Sequence, residues 1–209
     1  NCDIIAQGDS IPAFDFHCPL LSLPLAFKTT LQTIPQQVPY LLAAHVPRDD
    51  LRRDLTITNK KKRIGLAWSG TAVNVRRSIE LKALASILPA DCDWLGIQKD
   101  VQPDDFHYLK DNTAIADFSD RISGFDDTAA IINTLDLVIS IDTSVAHLAG
   151  ALGKPVWILL PFHPDFRWLR DRDTSPWYPS ARLYRQTRDG DWTSVLDQVS
   201  TDLRSFVRK

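Results

Sequence analysis

The chain has 209 residues, 44% of them apolar and 24% charged. That balance suits a soluble globular protein of one large domain, or one domain with an appendage. A net charge of -2 gives no basic field for nucleic acid or an anionic membrane, and no apolar run approaches the roughly 18 residues that span a bilayer.

Prolines 12, 19, 24, 35, 39 and 47 punctuate the first 60 residues, and proline interrupts both helices and central strands. Here "CDIIA" reads as a short strand and "PLLSLPLAF" as a short or broken helix. "TIPQQVPYLLA" is extended, and "PRDDLRRDLTITNKKKR" is a linker or a surface helix. From Arg63 the rhythm changes. "RIGLAW" is an apolar strand, "SIELKALASILP" a helix with Ser78 as N-cap, "DWLGIQ" a strand and "PDDFHYLKDN" a short helix. "TAIADF" follows as a strand, "DDTAAIINTL" as a helix and "DLVISID" as a buried strand. "SVAHLAGALG" is a helix with Val145, Leu148, Ala149 and Leu152 on one face, ended by Gly153. "PVWILLP" and "ARLYRQ" are the last strands. The closing helix, "DWTSVLDQVSTDLRSF", aligns Trp192, Val195, Leu196, Val199, Leu203 and Phe206 in one stripe.

Apolar strands alternating with helices predict an α/β domain with a parallel sheet covered on both faces, Rossmann-like, over residues 61–209. Residues 1–60 form a separate proline-rich segment. Cys2, Cys18 and Cys92 are scattered and are expected to be free thiols. The chain contains no methionine and opens at Asn1 without a signal-peptide pattern. It therefore reads as a piece of a longer protein with the cytoplasm as its expected compartment.

In open parallel sheets, ligands bind beyond the carboxyl ends of the strands. After "RIGLAW" come Ser69, Gly70 and Thr71, then the basic turn Arg76-Arg77. Gln98, Lys99 and Asp100 follow "DWLGI", Asp142, Thr143 and Ser144 follow "DLVISI", and Pro161, Phe162 and His163 follow "PVWILL". A helix starting at Ser144 would offer free N–H groups and a partial positive charge to phosphate. Thr143 and Ser144 can cap that helix or give hydroxyls to phosphate oxygens, and Lys99 or Arg76 can add a full charge. A diphosphate suits such a site; an ordinary N-cap accounts equally well for Thr143 and Ser144 taken alone. GxGxxG, GxxxxGK[ST] and GxSxG are missing, which argues against a dinucleotide cofactor, a P-loop and a nucleophile elbow. The five histidines show no HExxH and no close pairing with cysteine, so no metal site is predicted.

The stretches "DFHCPLLSLPLAF", "RIGLAWSG", "RRSIEL", "LGIQKD", "ISIDTSVAHLAGALGKPVWILLP" and "DFRWLRDRDTSPWYPSARLYRQ" together resemble one family. It is the glycosyltransferase-like module that follows tetratricopeptide repeats in bacterial proteins, similar to the heptosyltransferases of glycosyltransferase family 9. The resemblance covers almost the whole chain and is most specific in D-T-x-x-x-H-L-A-x-A-L-G-K-P. It implies a GT-B architecture, with residues 61–209 as the nucleotide-sugar-binding C-terminal half and residues 1–60 as the tail of the N-terminal domain plus a linker. The implied substrate is a nucleotide-diphosphate sugar, bound without a cofactor or metal.

Residue by residue, the resemblance puts Ser69 and Gly70 at the first phosphate-facing loop, Lys99 on the diphosphate with Gln98 beside it, and Asp142, Thr143, Ser144 and Val145 at the phosphate-gripping turn. His147 matches by position only. Heptosyltransferases usually carry glycine where this chain has Ser144. Trp168, Trp177 and Tyr178 are either core or a folded loop, or Phe162, Asp165, Arg167 and Trp168 line the cleft and help choose sugar or base; Asp15 and His17 face the cleft, or Asp15 serves as a cap or turn residue. The family's catalytic acidic residue matches nothing here, so catalytic residues stay unassigned and the isolated chain is expected to be inactive. The alternatives are a degenerate, non-catalytic interaction module and a GT-B sugar-nucleotide epimerase.

Overall fold

The computed structural model describes residues 3–43, 49–55, 61–70 and 76–208. Cys2, Pro47, Thr71 and the linker residues 44–48 and 56–60 lie outside the described residues. Two compact units result, Asn1–Pro35 and Gln36–Lys209.

In the first unit, the expected broken helix is a 3-10 turn, Leu20–Ser22, running into one helical turn, α1 (Leu23–Ala26) with Pro24 near its start. The expected strand at "CDIIA" is not formed: residues 3–6 are irregular. Ala6 and Asp9 instead close a turn, the Ala6 N–H donating to the Asp9 carboxylate and the Asp9 N–H to the Ala6 carbonyl. Ile4 stays exposed; a short apolar run forms a stable strand only against a partner strand or a covering face. Phe16, Leu20, Leu21, Leu25 and Phe27 are exposed as well.

The second unit is built on six parallel strands: β1 (Arg63–Ala67), β2 (Asp93–Gly96), β3 (Ile115–Asp117), β4 (Leu137–Ile141), β5 (Val156–Leu160) and β6 (Ala181–Arg185). Their spatial order is β3-β2-β1-β4-β5-β6, and every neighbouring pair is parallel. The chain winds outward from β1 to β3, then crosses back to lay β4 on the other side of β1. That reversal between β1 and β4 is the topological switch point, where such sheets open a crevice.

Helices cover both faces. On one lie α2 (Asp49–Asp54), α5 (Phe125–Asn133) and α6 (Ser144–Ala151), which bury Leu51, Ile131, Ile132, Ala146 and Ala149 against Ile97, Val138 and Ile158. On the other lie α3 (Leu81–Ala85), α4 (Pro103–Asp111) and α7 (Thr193–Val207), packed on Ile64, Leu66, Ile139 and Leu159. The α7 stripe is the one the spacing predicts. Val195, Leu196, Val199 and Leu203 are buried with Trp192 and Phe206 packed at its ends, and each full burial contributes about 1.5–3 kcal/mol. Compactness sets in before the expected boundary at residue 60. Leu51 and Leu55 sit in the core, and the Tyr40 and Leu41 N–H groups both donate to the Ala151 carbonyl at the end of α6.

Two helix ends matter for the site. Gly153 takes φ 71° after α6, and the Gly153 and Lys154 N–H groups return to the Gly150 and Ala149 carbonyls, a Schellman ending that glycine accommodates. Ser78 is not the cap of α3. The Ile79 N–H donates to the Trp68 carbonyl, just past the end of β1, and residues 78–80 are not helical. The helix therefore begins at Leu81 with Glu80 in the capping position, and the Ser78 hydroxyl instead accepts from the Gly70 N–H at 3.1 Å.

Candidate functional site

A cavity of about 650 Å³ opens at the switch point. One wall comes from the turns after β1 and β4: Ser69, Gly70, Arg77, Asp142, Thr143, Ser144 and Val145, with His147 and Arg167 behind them. The lining continues through Gln98, Lys99 and Asp100 after β2, and Ile122, Gly124, Phe125 and Thr128 after β3. A second cavity of about 600 Å³ lies where β1, β2 and β3 begin, lined by Arg63, Asp93 and Ile115. The strand-end rule places ligands at the other edge, at the crevice.

The turn after β1 is held by a buried amide. The Gln98 Oε1 accepts from the Trp68 N–H at 3.1 Å and the Ser69 N–H at 2.8 Å, while its Nε2 donates to the Ser69 hydroxyl and to the Asp100 carbonyl. Gln98 thus shapes the turn, with both amide atoms engaged. Arg77 lies across Gly70: a β-carbon at Gly70 would stand 2.5 Å from the Arg77 Nε. Arg77 donates from Nη1 to the Asp142 carbonyl at 3.0 Å, and its Nε is buried with no hydrogen-bond partner among the described residues. A guanidinium is thereby fixed between the β1 and β4 turns.

At the start of α6, Thr143 is the N-cap residue, yet no side chain caps the helix. The Thr143 hydroxyl faces the Ser140 hydroxyl at 3.1 Å instead. The Ala146 and His147 N–H groups both donate to the Thr143 carbonyl. The N–H groups of Ser144 and Val145 have no acceptor within the helix, and both residues border the cavity.

Ser69, Gly70, Gln98, Lys99, Asp142, Thr143, Ser144, Val145 and His147 are therefore brought together around one cavity. Two candidates are not. Arg76 points away, 80% exposed at its side chain, with Nη1 3.4 Å from the Asp189 carboxylate; its neighbour Arg77 faces the cavity. Phe162 sits beyond β5 with its ring against His163 and its N–H donating to Gln186, outside the cavity lining. Lys99 is at the rim, donating from Nζ to the Ser123 carbonyl at 3.0 Å. Of the 161–178 stretch, Trp168 and Tyr178 are core, whereas Arg167 borders the cavity and pairs with Asp165 at 3.3 Å. The wall after β3 carried its own signal: the strand-end rule applied to "TAIADF" leads straight to residues 118–128.

His147 stands one turn into α6. Its ring stacks on Trp168 with centroids 5.1 Å apart, its Nδ1 lies 3.0 Å from the Tyr178 hydroxyl, and its Nε2 lies 3.7 Å from the Asp142 carboxylate. Burial holds its pKa below the ordinary 6.5; Asp142 and Asp165 oppose that shift, and Arg167 adds to it. Between the folded and unfolded values, the unfolded chain takes up a proton that the folded chain does not. Stability from this group is complete above the unfolded value and falls as pH falls below it. The melting temperature is therefore expected to drop between about pH 7.5 and pH 5, and to drop less in His147→Gln. Equal pH slopes in scanning calorimetry would count against a buried neutral imidazole.

No family model matches the sequence. Among curated proteins, Protein FlbA of Caulobacter vibrioides is 22% identical over 203 residues, 93% of this chain and 34% of FlbA. Among solved structures, ADP-heptose LPS heptosyltransferase II of E. coli aligns with a TM-score of 0.59 at 17% identity, over 86% of this chain and 57% of that one. The glycosyl transferase family 9 protein of Veillonella parvula aligns at 0.55 with 13% identity, over 76% and 50% of the two chains. The fold is glycosyltransferase-like. E. coli heptosyltransferase WaaC with ADP aligns at 0.53 with 11% identity, over 71% and 45%. The chain thus spans about a third of the curated relative and about half of each of these solved chains. Among the described residues, no helix is long and apolar enough to cross a membrane.

Proposed function

We propose that residues 61–209 are the donor-binding half of a metal-independent GT-B glycosyltransferase, which takes a nucleotide-diphosphate sugar and transfers the sugar to an acceptor. The observation that carries this reading is the placement of Arg77 beside the uncapped start of α6, both bordering a cavity at the switch point. A fixed guanidinium and free backbone N–H groups on one wall suit a diphosphate. The likeness to a heptosyltransferase with ADP supports a nucleoside diphosphate in that place.

In this mechanism the ligand's phosphate oxygens lie against Arg77 and the Ser144 and Val145 N–H groups. As the glycosidic bond breaks, negative charge grows on the departing diphosphate, and donors already aimed at it need no reorganisation. The wall of Ile122, Gly124, Phe125 and Thr128 offers apolar area for the nucleoside, and Lys99 stands at the rim. The base that activates the acceptor belongs to an acceptor-side domain in a longer protein, one in which tetratricopeptide repeats precede this module. The exposed Phe16, Leu20, Leu21, Leu25 and Phe27 of the first unit suit packing against that domain, since apolar groups crowded on one short segment mark an interaction surface.

The test is calorimetric titration with ADP, GDP, UDP and CDP. One of the four is expected to bind and to raise the melting temperature, because a ligand that binds only the folded state stabilises it. No binding by any of them would remove the donor-site reading and leave a non-catalytic module as the function.

A further inference from the structure

The loop between β5 and β6 supplies the back wall of the site. Arg185, in β6, donates to the Trp168 carbonyl at 2.6 Å and to the Arg172 carbonyl at 2.8 Å, bracing a stretch in which Leu169 and Asp171 take φ near 55°. Non-glycine residues hold that left-handed conformation only where the surroundings impose it. The brace fixes Trp168 and Tyr178 against α6. Gly150 lets Tyr178 approach: a β-carbon there would lie 2.4 Å from the tyrosine ring. Both aromatic residues then touch His147.

We propose that Tyr178 is a positioning residue: its hydroxyl donates to His147 Nδ1 and holds the imidazole as the Nε2–H tautomer, facing the cavity beside Asp142. A neutral imidazole has one ring proton and two candidate sites. With that proton on Nδ1, the bare Nε2 lone pair would face the Asp142 carboxylate at 3.7 Å, two acceptors opposed at a largely buried site. With the proton on Nε2, the N–H faces the carboxylate and the bare Nδ1 accepts from Tyr178 at 3.0 Å. The second arrangement leaves no acceptor facing another. Burial raises the Tyr178 pKa, so the phenol keeps its proton.

The consequence concerns what the site can hold. A neutral N–H and a carboxylate side by side match an alcohol, which accepts from one and donates to the other. A phosphate oxygen only accepts, and belongs on Arg77 and the helix start. The His147–Asp142 pair therefore fits a sugar hydroxyl of the donor. That assignment rests on the donor-site reading above; the tautomer does not, since it exists without ligand.

The experiment is long-range 1H–15N correlation of the histidine side chains of the ligand-free protein near pH 8, about 1.5 units above the free imidazole value, with His147→Gln identifying the relevant signals. His147 is expected to be a single Nε2–H tautomer. In Tyr178→Phe, which keeps the ring over Gly150 and removes only the hydroxyl, the Nδ1–H form should rise to a detectable minority, since Asp142 still opposes a bare Nε2. An Nδ1–H tautomer in the unmodified protein would overturn the proposal without recourse to the variant. An unchanged tautomer in a folded Tyr178→Phe protein would overturn it equally. Neither result bears on whether a nucleoside diphosphate binds, so failure here and failure of the donor site are separately visible.

Discussion

Arg77→Ala is expected to weaken binding of the preferred nucleoside diphosphate roughly ten- to a hundredfold, about 1.5–3 kcal/mol, the range for a hydrogen bond to a charged group. The size follows from placement. The guanidinium is anchored by one bond to the Asp142 carbonyl, so little side-chain entropy is left to lose on binding, and its partial burial lessens solvent screening. Arg77→Lys should fall between, because an ammonium keeps the charge but loses the planar fork. Arg76→Ala, by contrast, removes a side chain that points toward Asp189 and should leave affinity within about twofold. Lys99→Ala should cost only a few-fold, since the exposed ammonium must first leave the Ser123 carbonyl and acts through high dielectric. Titration of the four variants, with melting curves to check folding, measures all of this. A larger loss at Lys99 than at Arg77 would return the cation's role to Lys99.

The Arg76–Arg77 pair also shows where sequence reading ends. That a basic turn follows the first strand is legible, because strand ends carry ligands in this fold class. Which of two adjacent arginines turns inward shows only in the fold, where Arg77 meets the Asp142 carbonyl of the β4 turn, a contact with no sequence signature. The Ile79 N–H bond to the Trp68 carbonyl precedes α3, and Ser78, which reads as a cap, serves instead as an acceptor for Gly70. The strands were plain, since continuous apolar runs such as "DLVISID" and "PVWILLP" are buried on both faces. Their order was not, because the crossover to β4 depends on packing between distant segments. At "CDIIA" the apolar run was real and the strand was not. Residue type gives a strand its propensity, and a partner strand decides whether it forms.

Trp68→Ala is expected to destabilise the second unit by about 3–5 kcal/mol, the usual cost of emptying a large aromatic site in a core. Trp68 is fully buried in the cluster that joins β1, α3 and α7. Its ring packs over Gly96 of β2, and its Nε1 donates to the Asp105 carboxylate at 2.8 Å in the first turn of α4. Removing it opens a cavity and strips that carboxylate of a donor at once. Trp68→Phe keeps most of the ring and loses the donor to a carboxylate, so that bond should show there, at about 1.5–3 kcal/mol, plus the smaller ring's loss of packing. Phe166→Ala, at a side chain 75% exposed, serves as the control and should stay within about 0.5 kcal/mol. Urea denaturation gives all three values from the midpoint and slope. The effect also reaches the site. The Trp68 N–H is one of the two backbone donors gathered by Gln98, and its carbonyl holds Ile79, two residues after Arg77. A Trp68→Ala protein that still folds should therefore bind nucleoside diphosphate more weakly than its remaining stability explains. A loss of stability below about 1 kcal/mol would mean that the turn is held by something other than this ring.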